Sequence, residues 1–329
     1  MENQRTLSAN SLTIVISLTL FVLLVPPSAK AELNPLSAEE RALLTSIPED
    51  PAPKSLVRGN HYVVSNENRP HLFKENIANQ GGVLVGVGTD QLYVYAGWAR
   101  SELLIPMDFD RAIVDLHRVY ALLFTKATTP DAFISLWGHK KVKEVKAWID
   151  ESEEAPELKK RMHYSFKIAR KLVHSRLRRL HKRYKKGATP TFVSDQAQYD
   201  HLVSLVKSGR FHPLRGDLTK RGCMSGLSDA LNKLGHTLDI IYLSNAEQYF
   251  SFQEAFRENF LGLPVDDKSL VLRTAPRNKN KGQYFYEVQR TVDFQAWLKL
   301  PKITRVRQIR RKRQRGALED AFIFPAPSN

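Results

Sequence analysis

Gly86 and Gly88, in the run Gly86-Val87-Gly88-Thr89-Asp90-Gln91, directly follow the compact apolar segment Gly82-Val83-Leu84-Val85. A buried strand that ends in glycines and turns into a helix lets the backbone approach a ligand closely, with unpaired N–H groups facing it. A tight strand-to-helix turn that holds nothing would use the same residues. Asp108 ends a second apolar run, residues 103–107. A carboxylate there can accept hydrogen bonds from both ribose hydroxyls of an adenosine-type ligand. Asp110 competes for that role or caps the next helix. Gly216-Asp217 follows a third run, and Asp217 either meets an adenine amino group or bonds its own turn backbone. The fourth place is Ser244-Asn245-Ala246-Glu247-Gln248-Tyr249, after the apolar residues 238–243. Polar residues crowded at a strand's carboxyl end are where a transferase would grip its substrate. Ser244 or Asn245 could serve as a helix N-cap, but the cluster exceeds what capping needs.

The elements that position these residues follow from periodicity. Residues 82–86 read as a central parallel strand buried on both faces, and residues 90–99 as a helix. Residues 103–107 and 111–124 repeat the unit. Residues 211–214, 238–243, 269–273 and 284–292 read as further strands. Residues 227–234, closed by Gly235, and 247–260 and 293–298 read as helices. Strand–helix alternation over most of the chain predicts an α/β fold of Rossmann type, with a mostly parallel, doubly wound sheet covered by helices on both faces. In such a sheet, ligands sit beyond the carboxyl ends of the strands, where all four candidate places lie. Between residues 131 and 186 the pattern is helical alone. Met162, Phe166, Ala169, Val173, Leu177, Leu180 and Tyr184 form one apolar stripe on a helix otherwise rich in cations.

The composition, 42% hydrophobic and 26% charged, is that of a globular chain with a sizeable core. The formal net charge of +16 is local. Residues 158–186 hold thirteen Lys or Arg and no acid, and residues 302–315 hold eight more and again no acid. The remainder is net acidic, so the basic character concerns two segments and whatever anionic surface they meet: lipid head groups, an acidic polymer or nucleic acid. Cys223 is the only cysteine, which excludes an intramolecular disulfide and suits a small packed residue better than a nucleophile. The histidines show no zinc spacing and Gly-x-Ser-x-Gly is absent, so neither a structural zinc site nor a serine hydrolase is indicated.

At the N-terminus, Arg5 precedes an uncharged, largely apolar run over residues 12–25, then Pro26, Pro27 and Ala29-Lys30-Ala31. This reads as an export signal over residues 1–31, which would place the body in the periplasm or outside the cell. The alternative is an anchor left uncut, although the run is shorter than the roughly 20 residues a spanning helix needs. Residues 32–57 then form a short helix, opened by a capping box at Ser37 and Glu40, and a Pro-rich linker. Residues 58–300 form the main domain with its helical insert, and residues 301–329 a basic tail.

Taken together, Ser65-Asn66-Glu67, Gly81-Gly82-Val83, Gly86-Val87-Gly88 with Gln91, Asp108, Gly216-Asp217 and Tyr242-Leu243-Ser244-Asn245 with Glu247-Gln248-Tyr249 resemble a family of uncharacterised bacterial proteins. That family is typed by a hypothetical protein of Leptospira, and the resemblance covers roughly residues 58–298. The order of elements also resembles a class I S-adenosylmethionine-dependent methyltransferase. The resemblance implies S-adenosylmethionine as cofactor, held by Gly86, Gly88, Gln91, Asp108 and Asp217. Ser65, Asn66, Glu67, Ser244, Asn245, Glu247 and Tyr249 would lie on the substrate side. The chain departs from the pattern at Asp110, where a basic residue is expected, and at Leu218-Thr219-Lys220, where an aromatic residue and a glycine are expected. Two functions are consistent with this: a methyl transferase of unknown acceptor, or an exported binding protein on the same scaffold that uses its basic segments.

The Ala29-Lys30-Ala31 pattern predicts a mature chain beginning at Glu32. Intact-mass measurement on protein recovered from outside the cytoplasm checks this, and a species that keeps residues 1–31 there would show that no cut is made.

Overall fold

The apolar run at Val83 is a strand because both of its faces are covered. Leu84 joins one half of the core with Leu104, Ile240 and Leu272. Val83 and Val85 join the other half with Leu103, Ile105, Met107, Ile241 and Val271. Burial on alternate sides is what a parallel strand between two helical layers requires. The computed structural model describes residues 33–187, 189–278, 283–316, 318 and 320–327. The expected export signal and its cut before Glu32 lie outside them.

The described chain opens with α1 (Ala38–Thr45), followed by α2 (Lys74–Ile77), β1 (Val83–Val87), α3 (Gln91–Ala99), β2 (Leu103–Asp108) and α4 (Arg111–Lys126). The insert is α5 (Pro130–Leu136), α6 (Val142–Glu151) and α7 (Pro156–Tyr184). Then come α8 (Gln196–Lys207), β3 (Leu214–Arg215), α9 (Gly222–Leu234), β4 (Leu238–Ser244), α10 (Glu254–Leu261), β5 (Leu270–Asn278) and β6 (Gln283–Arg290). The chain closes with α11 (Thr291–Leu298), α12 (Val306–Arg310), β7 (Gln314–Arg315) and β8 (Ala321–Phe324). The capping box is present: the Ser37 hydroxyl accepts the Glu40 amide at 3.1 Å, and the Glu40 carboxylate accepts the Ser37 amide at 2.6 Å.

The strands lie in the order β3-β2-β1-β4-β5-β6-β8-β7. The first five are parallel throughout, in the doubly wound arrangement. β6 returns antiparallel to β5, β8 runs parallel to β6, and β7 is antiparallel to β8. The α/β, Rossmann-type, mostly parallel sheet expected from the sequence is therefore the fold. Helices α3 to α8 pack on one face, and α1 with α9 to α12 on the other.

Several expected elements differ in extent. The third strand shrinks to Leu214 and Arg215, with Phe211 making a lone bridge to Leu104, because Pro213 has no N–H to continue the ladder. The helix expected over residues 247–260 is split into a single turn, Ala246–Gln248, and α10. The break comes where the Phe252 amide bonds the Thr304 carbonyl at 2.8 Å and Phe252 enters the core. The basic tail is built into the sheet: β8 pairs with β6, and Val306 and Ile309 are buried. The stripe on α7 is buried as expected, but Arg176 is buried with it at 4% exposure. Its Nε donates to Asp90 Oδ2 at 2.8 Å. The cations of α7 and those of α12 are thus anchored on opposite faces of the sheet and do not form a single surface.

Asp90 is fully buried, so its partner cannot be removed cheaply. Arg176→Met should cost about 3–5 kcal/mol in chemical denaturation, the scale for leaving one buried charge unpaired. Adding Asp90→Asn should recover part of that loss. A single-mutant loss under about 1 kcal/mol would mean that the pair does not hold α7 to the sheet.

Candidate functional site

The loop between β1 and α3 is pinned from both sides. Gly88 has φ +106°, a conformation that L side chains rarely adopt. Its N–H bonds the Asp108 carboxylate, and its carbonyl accepts from His117 Nε2 at 2.8 Å. The other His117 nitrogen, Nδ1, accepts from the Tyr93 hydroxyl at 2.5 Å, which leaves the ring proton on Nε2. Burial pushes His117 down to about 4, so this ring is neutral at neutral pH. Asp108 also accepts the amide of Asp110 at 2.9 Å. Burial pushes the Asp108 carboxyl up to about 7; its bond to the Asp110 amide opposes the rise, and the Asp110 charge adds to it.

Gly86 is a packing glycine, since a side chain there would begin 2.5 Å from Leu92 and 3.0 Å from Tyr242. Over Gly88 lies the Gln91 amide, whose Nε2 is 2.5 Å from where a Cβ would stand. That Nε2 reaches the Tyr242 hydroxyl only at 3.5 Å, and the Gln91 Oε1 is buried without a partner. Asp217 stands apart from this group. Its Oδ1 accepts both the amide and the hydroxyl of Thr219, at 2.9 and 2.7 Å, so Thr219 closes the Asp217 turn. The next residue, Leu218, is core. Asp110, where a basic residue is expected, caps α4 through the Ala112 amide and binds His61 Nδ1 at 2.6 Å.

The residues expected on the substrate side do converge. Glu67 is 1% exposed, and its Oε1 accepts hydroxyls from Tyr242 at 2.5 Å, Thr274 at 2.8 Å and Ser244 at 3.0 Å. Tyr95 donates to its Oε2 at 3.4 Å. Burial raises the Glu67 carboxyl above its ordinary range, against the pull of those hydroxyls. Ser65 fixes the segment: its amide donates to Asp90 Oδ1 at 2.8 Å, and its hydroxyl accepts the Glu67 amide at 3.1 Å. Ser244 reaches Glu67 from a left-handed backbone, φ +49°, beside a register shift in the β4–β5 ladder. Asn66 is exposed and bonds Tyr284, and Tyr249 stands in solvent.

Behind Ser244 lies a cavity of about 10 Å³, lined by Ser244, Asn245, Glu247, Arg273, Glu287 and Arg310 among others. That is room for one water. Arg273 is buried at 1% exposure, donates to Glu247 at 2.6 Å and to Gln289 at 2.8 Å, and lies over Phe294. Glu247 Oε1, Gln248 Nε2, Arg273 Nη2 and Glu287 Oε2 are buried there without protein partners. Two acceptors and two donors around a water-sized space are what one tetrahedral water satisfies.

Sequence reasoning missed His117, Thr274, Arg273, Glu287 and Arg310. A usable signal existed for two of them: Arg273 and Glu287 interrupt otherwise apolar or aromatic strands. Cys223 is buried, and burial pushes its thiol up to about 12, so it is unreactive packing.

The strand order, the helices on both faces and the crevice between β1 and β4 define a doubly wound α/β protein of Rossmann type. Within that class the chain belongs to a family described as a domain of unknown function (DUF7790), whose model matches residues 62–321. A search of curated proteins finds no match to the chain. In this arrangement the groups expected to hold S-adenosylmethionine do not fit it. Gln91 covers Gly88, Asp108 is taken by backbone amides, and Asp217 is turned into its own loop.

Two titrations in this loop act on stability in opposite senses. Asp108 has a folded value near 7 against an ordinary 3.8, so its contribution is present at low pH and is lost as pH rises through about 7. His117 has a folded value near 4 against 6.5, so its contribution is present above 6.5 and is lost as pH falls toward 4. The thermal midpoint of the parent, measured against Asp108→Asn, should therefore fall on raising pH from about 5 to 8. Measured against His117→Gln, it should fall on lowering pH over the same window. Parallel pH profiles for parent and variants would remove both assignments.

Proposed function

We propose that this is an exported, non-catalytic binding protein that keeps a methyltransferase-like nucleotide-binding scaffold and docks on anionic lipid through the outer face of α7. The observation that carries this reading is the make-up of that face. Lys160, Lys167, Lys171, Arg178, Arg179 and Lys182 are exposed, and among them Tyr164 and Leu172 are 50% and 53% exposed. Cations interleaved with exposed apolar side chains on a well-anchored helix suit the boundary between head groups and acyl chains. Export itself rests on the sequence of residues 1–31. The transferase reading would require Gln91 to leave Gly88 and Asp217 to leave Thr219, and it needs a supply of S-adenosylmethionine outside the cytoplasm.

Vesicles containing phosphatidylglycerol should bind the mature chain, with affinity falling steeply between about 50 mM and 200 mM salt as surface charges are screened. Lys167→Glu with Lys171→Glu should weaken binding by more than about tenfold, since each cation near such a surface contributes about 1 kcal/mol. Calorimetry with S-adenosylmethionine should show no binding at millimolar concentration. Absence of vesicle binding at low salt, or S-adenosylmethionine affinity tighter than about 100 μM, would turn the assignment to the transferase.

A further inference from the structure

The C-terminal segment carries a second feature, on the opposite face of the sheet from α7. Arg307, Arg310, Arg311 and Arg313 line an open concavity of about 440 Å³. Two of these guanidinium groups are fixed in place. Arg310 Nε donates to Glu287 Oε1 at 2.8 Å, and Arg313 reaches the same oxygen at 3.5 Å. Arg313 also lies against a pair of edge-to-face rings, 4.6 Å from the centroid of Phe285 and 4.2 Å from that of Phe322. Arg307 and Arg311 are exposed and free to swing in. Four like charges around one hollow, faced by one buried carboxylate, repel one another unless an anion joins them.

We propose that this hollow is a binding site for a phosphate monoester group. Guanidinium forks match the oxygens of a phosphate in paired hydrogen bonds, and two forks already held rigid lose little freedom on binding. The hollow is open to solvent, so the body of an ester can extend out of it while its phosphate meets the arginines. Arg310 lines both this hollow and the cavity behind Ser244. A phosphate that draws on Arg310 therefore acts directly on Glu287, whose Oε2 has no partner, and through it on the floor of the candidate site. This site is separate from the α7 surface and does not depend on lipid docking there.

The test uses the mature full chain titrated by calorimetry with phosphoethanolamine, with chloride at equal ionic strength as control. A parallel arm uses phosphatidylcholine vesicles with and without phosphatidic acid. Saturable phosphate binding above the chloride control is expected, weakened at least about tenfold by Arg307→Gln with Arg311→Gln, both exposed positions that leave the fold intact. Arg313→Lys keeps the charge but loses the planar guanidinium fork, and should also weaken binding. Binding of phosphoethanolamine assigns a soluble ester; binding confined to phosphatidic acid vesicles that persists in the Lys167→Glu, Lys171→Glu chain and is lost on Arg307→Gln with Arg311→Gln assigns a head group; both support the site. Lys167→Glu with Lys171→Glu should leave phosphoethanolamine binding unchanged, which separates this site from docking through α7. No phosphoethanolamine binding above chloride, together with phosphatidic acid binding that is absent or that Arg307→Gln with Arg311→Gln leaves unchanged, or full binding by the Arg313→Lys chain, would overturn the proposal.

Discussion

The ion pair between Asp90 and Arg176 joins three parts of the chain that are distant in sequence. Asp90 begins the turn into α3, Arg176 comes from the helical insert, and the second oxygen of Asp90 holds the Ser65 amide. Both side chains are buried, so each needs the other to offset its loss of water. The insert is thereby a structural partner of the glycine loop and no mere decoration of it. Glu67 follows Ser65 by two residues, so the placement of the buried carboxylate under Tyr242 and Ser244 depends on the same pair.

Polar groups along the carboxyl edge of the sheet divide into two kinds. Above β1, β2 and β3, most of them are satisfied internally: Gly88 by Asp108 and His117, and Asp217 by Thr219. Above β4, β5 and β6, several remain unpaired around a space that admits a water. A buried polar atom without a partner is costly and persists only where water, a ligand or function compensates. Unmet hydrogen-bonding capacity is therefore concentrated on the β4–β6 side of the crevice. On the β1–β3 side, Gln91 Oε1 and Arg215 Nε are exceptions among the described residues.

How far the molecule was legible in its sequence follows from what periodicity encodes. The strand at Val83, the stripe on α7 and the Ser37 capping box depend on local spacing, and each appears where the sequence places it. Arg176 does not: an apolar stripe says which face is buried, but not which cation at its edge turns inward to meet a distant aspartate. The broken helix after Gln248 was hidden because Phe250 and Phe252 fit a helical pattern as well as they fit a loop entering the core. In the tail, a dense run of cations outweighed the short alternating segment Ala321-Phe322-Ile323-Phe324, which completes the sheet as β8. The convergence of Glu67 with Ser244 was suggested by motif resemblance alone, since no spacing rule brings those two segments together.

The antiparallel return of β6 carries the last step. In a sheet that ended at β5, Arg273 would stand on an edge strand. β6 covers it, sets Gln289 against its guanidinium and brings Glu287 into the same cavity wall. Glu287 then requires cations of its own, and α12 and the turn between it and β7 supply them as Arg310 and Arg313. Each added element thus compensates a charge buried by the one before, from β5 outward to the surface. The chain of compensation ends at exposed arginines, where the remaining positive charge is open to a partner from solution.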